Sequence, residues 1–173
     1  MKHVITALVQ NKPGVLAHVA GMFSARGFNI DSLVVGRTEN ADLSRMTIVV
    51  IGDDRTVEQV RKQLGKLINV VRVRDFQDIE FVERDLMLVR VAVTPQRRAE
   101  IVELANTFRG KVVDVAKQSL TVELSGPEDK LEAFIELVRP YGIRELARTG
   151  VIAMQRGDQN SARAAAPAGS QTQ

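Results

Sequence analysis

Cysteine is absent from this 173-residue chain. That excludes disulfides and thiol chemistry, and it fits a reducing compartment. Tryptophan is also absent, tyrosine occurs once, and aromatics make up only 4% of residues. Proteins that read single-stranded RNA stack bases on aromatic side chains, and this chain has few to offer. Histidine occurs twice, as His3 and His18. Neither has a second ligand at metal spacing. No Ser, His and acid set stands out, and neither a Walker loop nor a Gly-x-Gly-x-x-Gly run is present. No apolar run approaches the roughly 18 residues of a membrane span. Strand-like sequence follows Met1 directly, without the regions of a signal or transit peptide. A cytoplasmic chain with no membrane partner is therefore expected.

What is present is ordinary for a soluble globular protein: 45% of residues are hydrophobic and 26% charged, enough for one domain or two small ones. The net charge is +3. Residues 1–77 carry 11 Lys and Arg against 7 Asp and Glu, and residues 78–157 carry 12 against 13. This mild bias forms no clustered basic stripe, so no nucleic-acid partner is expected.

Residues 4–9 (Val-Ile-Thr-Ala-Leu-Val) are short, rich in β-branched residues and ended by Asn and Pro, which predicts a strand. Val15, Leu16, Val19, Met22 and Phe23 then recur at helical spacing, and Gly27 suits a left-handed helix end. Strands follow over 28–35 and 43–51. Asp53 or Asp54 caps a helix whose stripe is Val57, Val60, Leu64, Leu67 and Ile68. A strand over 70–76 completes a βαββαβ order. Residues 77–85 form an acidic connector, after which the order repeats: a strand over 86–93, a helix with Ile101, Leu104, Ala105 and Phe108 ended by Gly110, strands over 111–116 and 120–124, a helix with Pro127 in its first position, and a last strand within 143–154. The chain thus reads as an α+β protein of two ferredoxin-like domains with antiparallel sheets and helices on one face. The boundaries are 1–77, a linker over 78–85, and 86–157. Residues 158–173 have no apolar periodicity and are expected to be disordered. Strand 46–51 is apolar on both faces, and this predicts an oligomer that covers the second face or extends an edge.

The chemistry gathers at one turn. Asn11-Lys12-Pro13-Gly14 feeds a helix N-terminus, and Asn29-Ile30 opens the next strand. Gly14 allows close approach to the backbone, and the free amides of Gly14, Val15 and Leu16 favour an anion such as an amino-acid carboxylate. Pro13 fixes the loop. Asn11 and Asn29 offer amide groups. Val15, Leu16 and Ile30 supply an apolar wall. With no charge inside the set, a small aliphatic amino acid suits it. Spacing alone also allows a plain turn and a strand-edge Asn. The matching turn of the second unit, Thr94-Pro95-Gln96-Arg97, lacks the Asn and the Gly. Gly52-Asp53-Asp54 opens like a thiamine-diphosphate motif, but no Asn-Asn pair follows, so both acids read as helix caps.

Asn11-Lys12-Pro13-Gly14-Val15-Leu16 followed by Arg26-Gly27-Phe28-Asn29-Ile30 resembles the signature of ACT domains, which are ferredoxin-like modules that bind amino acids and regulate enzymes. Residues 28–36, Ser44-Arg45-Met46-Thr47, and Glu83-Arg84-Asp85 with residues 86–91 resemble the small regulatory subunit of acetolactate synthase (acetohydroxyacid synthase). The resemblance spans residues 1–157. It implies a non-catalytic chain without a cofactor of its own. It implies a homodimer through the ACT domains, bound to a large catalytic subunit that holds thiamine diphosphate, FAD and magnesium. It implies activation of that subunit and feedback inhibition by valine in branched-chain amino acid synthesis. Valine would lie between the turn of one copy (Asn11, Pro13, Gly14, Val15, Leu16) and Asn29 and Ile30 of another. The alternative is a free-standing ACT-type sensor for another enzyme or for transcription.

Overall fold

The computed structural model describes residues 1–157, so the tail expected over 158–173 lies outside the described residues. The element order is β1 (Lys2–Gln10), α1 (Val15–Ala25), β2 (Ile30–Arg37), β3 (Leu43–Ile51), α2 (Asp54–Leu64), β4 (Val70–Asp75), β5 (Phe81–Ala92), α3 (Arg98–Thr107), β6 (Lys111–Val115), β7 (Ser119–Gly126), α4 (Glu128–Val138), a short 3₁₀ turn (Arg139–Tyr141), β8 (Ile143–Arg148) and β9 (Ile152–Gln155). The described residues divide into two compact units, one of residues 1–82 with 153–157, the other of residues 83–152. Each is a ferredoxin-like antiparallel sheet with two helices. No helix among the described residues is long and apolar enough to cross a membrane.

In the first unit the sheet order is β2-β3-β1-β4. Alternation puts Ile5, Ala7 and Val9 of β1 and Met46, Ile48 and Val50 of β3 against Val15, Val19, Met22 and Phe23 of α1 and Val57, Val60 and Leu64 of α2. Each fully buried Val, Ile, Leu, Met or Phe side chain among them contributes about 1.5–3 kcal/mol from burial. α2 has clear start and stop signals: the Asp53 carboxylate accepts from the Thr56 amide at 2.8 Å, Asp54 sits in the first turn, and Arg61 and Lys62 sit in the last. The helix ends before Ile68, which is 92% exposed and not part of the stripe expected of it. Here the apolar spacing outlasts the helix, since Gly65 ends it.

The second face of this sheet differs from expectation. Thr47 and Val49 point away from the helices yet are 2% and 0% exposed in the single chain. No second copy is needed to cover them, so the two-faced strand does not by itself call for an oligomer. Residues 153–157 return to this side. Arg74 donates to the Gln155 side chain at 2.7 Å, and Thr6, Leu8, Phe76 and Met154 share one cavity there. β5 starts at Phe81, inside the stretch read as a linker over 78–85. The Phe81 ring packs on Phe76 with centroids 4.9 Å apart, and β9 pairs with β5. The segment read as one strand within 143–154 is two, β8 and β9, broken at Thr149-Gly150, where Gly150 adopts φ 87°.

In the second unit the order β6-β7-β5-β8 puts Met87, Val89 and Val91 at the centre, with Ile101, Ala105, Leu131, Phe134 and Val138 above them. Arg109, not Gly110, takes the left-handed position after α3, at φ 55°. Pro127 is the residue before α4, one place earlier than expected. The buried Asp85 carboxylate joins β5 to β8. It accepts from Arg148 Nε at 2.8 Å, from the Thr149 hydroxyl at 3.2 Å and from the Gly150 amide at 3.2 Å. Burial lowers the Arg148 pKa, but hydrogen bonds to Glu132 and Asp85 outweigh it and the net shift is upward.

Candidate functional site

The turn between β1 and α1 is held by its neighbours. The Asn11 amide donates to Asp42 O at 2.7 Å, and Asn11 Nδ2 donates to Ala41 O at 3.0 Å. Asn11 is therefore tied to the β2–β3 loop, which leaves its side-chain carbonyl oxygen and the second N–H of its Nδ2 to meet a ligand. Gly14 precedes α1 at φ 83° and ψ −13°, the left-handed region that suits glycine. A Cβ built there meets nothing within 4 Å, so the backbone is open to approach from outside.

α1 begins without a side-chain cap and without an acid in its first turn. The Val15 amide reaches Lys12 O only at 3.4 Å, and the first ladder bond runs from His18 N to Gly14 O at 3.0 Å. Among the described residues nothing accepts from the amides of Gly14, Leu16 and Ala17. These donors and the positive end of the helix face solvent together, which is the electrostatic requirement for a carboxylate. One assignment changes. Val15 is 3% exposed and packs into the core, so its side chain cannot line a ligand, whereas Leu16 is 46% exposed and can. Pro13 is exposed beside Gly14, as a loop-fixing residue should be.

Asn29 lies elsewhere. It is exposed just before β2, and Ile30 is half-buried against the core. Ile30 pairs with Val50, which pairs with His3 at the start of β1. Asn11 follows the other end of that strand. At about 3.3 Å per residue the two asparagines stand roughly 25 Å apart along the sheet. No amino acid spans that distance. Within one chain the Asn11–Leu16 turn and Asn29 thus stand apart, near opposite ends of β2. The far end, Arg37, pairs with Ser44 beside the loop that holds Asn11. β2 is also an edge strand of its sheet.

The second unit has a concavity at its own first turn, which the missing Asn and Gly did not foretell. A cavity of about 350 Å³ is lined by Thr94, Pro95, Arg97, Gln118, Tyr141 and Arg144, among others. Its contents are already engaged. The Arg97 guanidinium stacks 4.2 Å over the Tyr141 ring, and the Tyr141 hydroxyl donates to Glu100 at 2.8 Å, a bond that raises its pKa. Residues this far apart in sequence gave no signal. His18 is exposed on α1 and His3 is buried, 3.2 Å from Gly52 O. No three His, Cys, Asp or Glu side chains converge as metal ligands would among the described residues.

Comparison with known proteins bears on this geometry. Residues 5–72 match the model of the "AHAS small subunit-like ACT domain", and residues 84–157 match that of the "small subunit of acetolactate synthase". The probable acetolactate synthase small subunit of Archaeoglobus fulgidus is 60% identical over 158 residues, covering 91% of this chain and 99% of that one. The acetolactate synthase small subunit of Mycolicibacterium smegmatis is 50% identical over 155 residues, covering 90% and 92%. Among solved structures, the acetolactate synthase small subunit of Thermotoga maritima superposes with a TM-score of 0.83 at 42% identity, covering 91% of this chain and 99% of that one.

Proposed function

Since this chain belongs to the acetolactate synthase small-subunit family, we propose that it is the regulatory subunit that activates a large catalytic subunit and makes it sensitive to valine. On this reading the chain is not catalytic and carries no cofactor. Thiamine diphosphate, FAD and magnesium belong to the catalytic partner.

One observation supports the proposal: the Asn11–Leu16 turn and Asn29 lie near opposite ends of β2, an edge strand. Two copies related by a two-fold axis can pair these edges antiparallel, extending the sheet. That pairing sets the start of β2 in one copy beside the end of β2 in the other. Asn29 and Ile30 of one chain then face the Asn11–Leu16 turn of its partner. The free amides bind the valine carboxylate, the asparagines take its ammonium group, and Leu16 and Ile30 contact its isopropyl group. Valine held between two chains favours the arrangement in which both contacts are made. A tenfold shift of that equilibrium takes only about 1.4 kcal/mol of differential binding.

The test is reconstitution. Purified catalytic subunit is assayed for acetolactate formation alone, with this chain, and with this chain plus valine. The proposal expects activity to rise on adding the chain and to fall again with valine. A chain that changes neither the rate nor its valine sensitivity refutes it.

A further inference from the structure

Strand register gathers three arginines on the helix-free face of the first unit. Leu8 of β1 lies opposite Arg45 of β3 on one side and Arg72 of β4 on the other. Directly opposite residues share a face, so both arginines rise on the side of Leu8. Thr6, two residues back, lies opposite Arg74. Arg45 and Arg72 start about 10 Å apart, and Arg72 and Arg74 about 7 Å, distances that arginine side chains close easily. All three line one cavity of about 280 Å³ with Thr6, Leu8, Phe76, Met154, Gln155 and Gly157.

This cluster has no acid to balance it among the described residues. Arg74 donates to Gln155, a neutral amide, at 2.7 Å. The next acid in sequence, Asp75, alternates to the helix face, where it lies 3.6 Å from Arg61. Arg45 and Arg72 have no ion-pair partner among the described residues. Burial, then the charges of Arg72 and Arg45, lower the Arg74 pKa. Converging guanidiniums repel one another, and an anion shared between them relieves that repulsion. Guanidinium forks match planar or tetrahedral oxyanions in paired hydrogen bonds. The cavity is a concave pocket of small-ion size, closed on one side by residues 154–157.

We propose that Arg45, Arg72 and Arg74, with Thr6 and Gln155, form a binding site for a small multiply charged oxyanion of the phosphate class. This site is separate from the residues proposed to bind an amino acid, which lie near the two ends of β2.

Calorimetry on the full-length protein tests it, with inorganic phosphate, pyrophosphate and malonate as probes, each against potassium chloride of matched ionic strength. Pyrophosphate is expected to bind most tightly and to raise the melting temperature. Arg72→Gln and Arg74→Gln are each expected to weaken it about tenfold or more, with cooperative melting kept. Malonate distinguishes carboxylates from phosphates: tighter binding of malonate overturns the ligand class. Three other results overturn the site. These are no heat with any probe up to about 10 mM, equal binding by both variants, and an effect that chloride reproduces. Pyrophosphate binding that appears only in Asp158→Asn also overturns it, by assigning the cluster an internal counter-ion one residue beyond Gly157.

Discussion

Replacing Gly14 by Asp puts a carboxylate where the account places the carboxylate of valine. Gly14 sits at φ 83°, where any other residue is strained, but a Cβ there meets nothing within 4 Å. The cost to folding is therefore backbone strain alone, about 1–2 kcal/mol for most residues and less for Asp or Asn. A domain stable by about 5–15 kcal/mol survives that. The cost to the ligand is larger. The new side chain lies beside the free amides of Leu16 and Ala17 and competes for them. Two charge-assisted hydrogen bonds, each contributing about 1.5–3 kcal/mol, are lost to valine, and like charge adds repulsion. Affinity should fall more than about a hundredfold. Gly14→Ala carries the strain without the charge and should lose about tenfold or less. Calorimetry with valine on the full-length protein measures both, and a melting curve confirms folding. A folded Gly14→Asp protein that binds valine within about threefold of wild type would refute the placement of the carboxylate.

Asp85→Ala removes a buried carboxylate shared by Arg148, Thr149 and Gly150; Arg148 keeps Glu132. The cost should be about 2–4 kcal/mol by denaturant titration, and a loss under about 0.5 kcal/mol would show the knot to be unimportant. Asp53 has its pKa lowered by hydrogen bonds from Thr56. Its contribution is therefore present above the ordinary carboxylate range and lost as pH falls through the lowered value. The gap in melting temperature between wild type and Asp53→Ala should be widest at neutral pH and close on acidification; a gap independent of pH contradicts this. Val35, 42% exposed on the edge strand β2, should break pairing of two copies when changed to Glu. Light scattering should then report a monomer, and an unchanged dimer would place the interface elsewhere.

The two βαββαβ units were legible because each strand and helix has its own period. Ile5, Ala7 and Val9 alternate, whereas Val57, Val60 and Leu64 step by helical turns, and each pattern needs only its own segment. Asp53 as a cap and Gly27 in the left-handed region, at φ 67°, were equally local. What was not legible depends on distance in space. The return of residues 153–157 over the first sheet cannot be read from four residues, Ile-Ala-Met-Gln, that suit many settings. Nor does alternation show that Thr47 and Val49, which read as a face for a second copy, are buried in one chain. Ile68 continues the apolar spacing of α2 but falls beyond its end, so periodicity alone misplaced it. The turn and Asn29 were both found in sequence, and the resemblance to a known family supplied the idea of two copies. Their separation along the sheet follows only from register. The same holds for Arg45 and Arg72, which alternation places on a face but which only Leu8 between them brings together.

The central claim is that the turn and Asn29 of different chains make one site, and mixed dimers test it most directly. Gly14→Asp and Asn29→Ala homodimers should each fail to bind valine. In a dimer of one chain of each kind, one site carries both lesions and the other carries none. The account predicts that unfolding and refolding the two proteins together restores valine binding at one site per mixed dimer, with wild-type affinity. Mixed dimers that form, by mass spectrometry, and still bind no valine would contradict it.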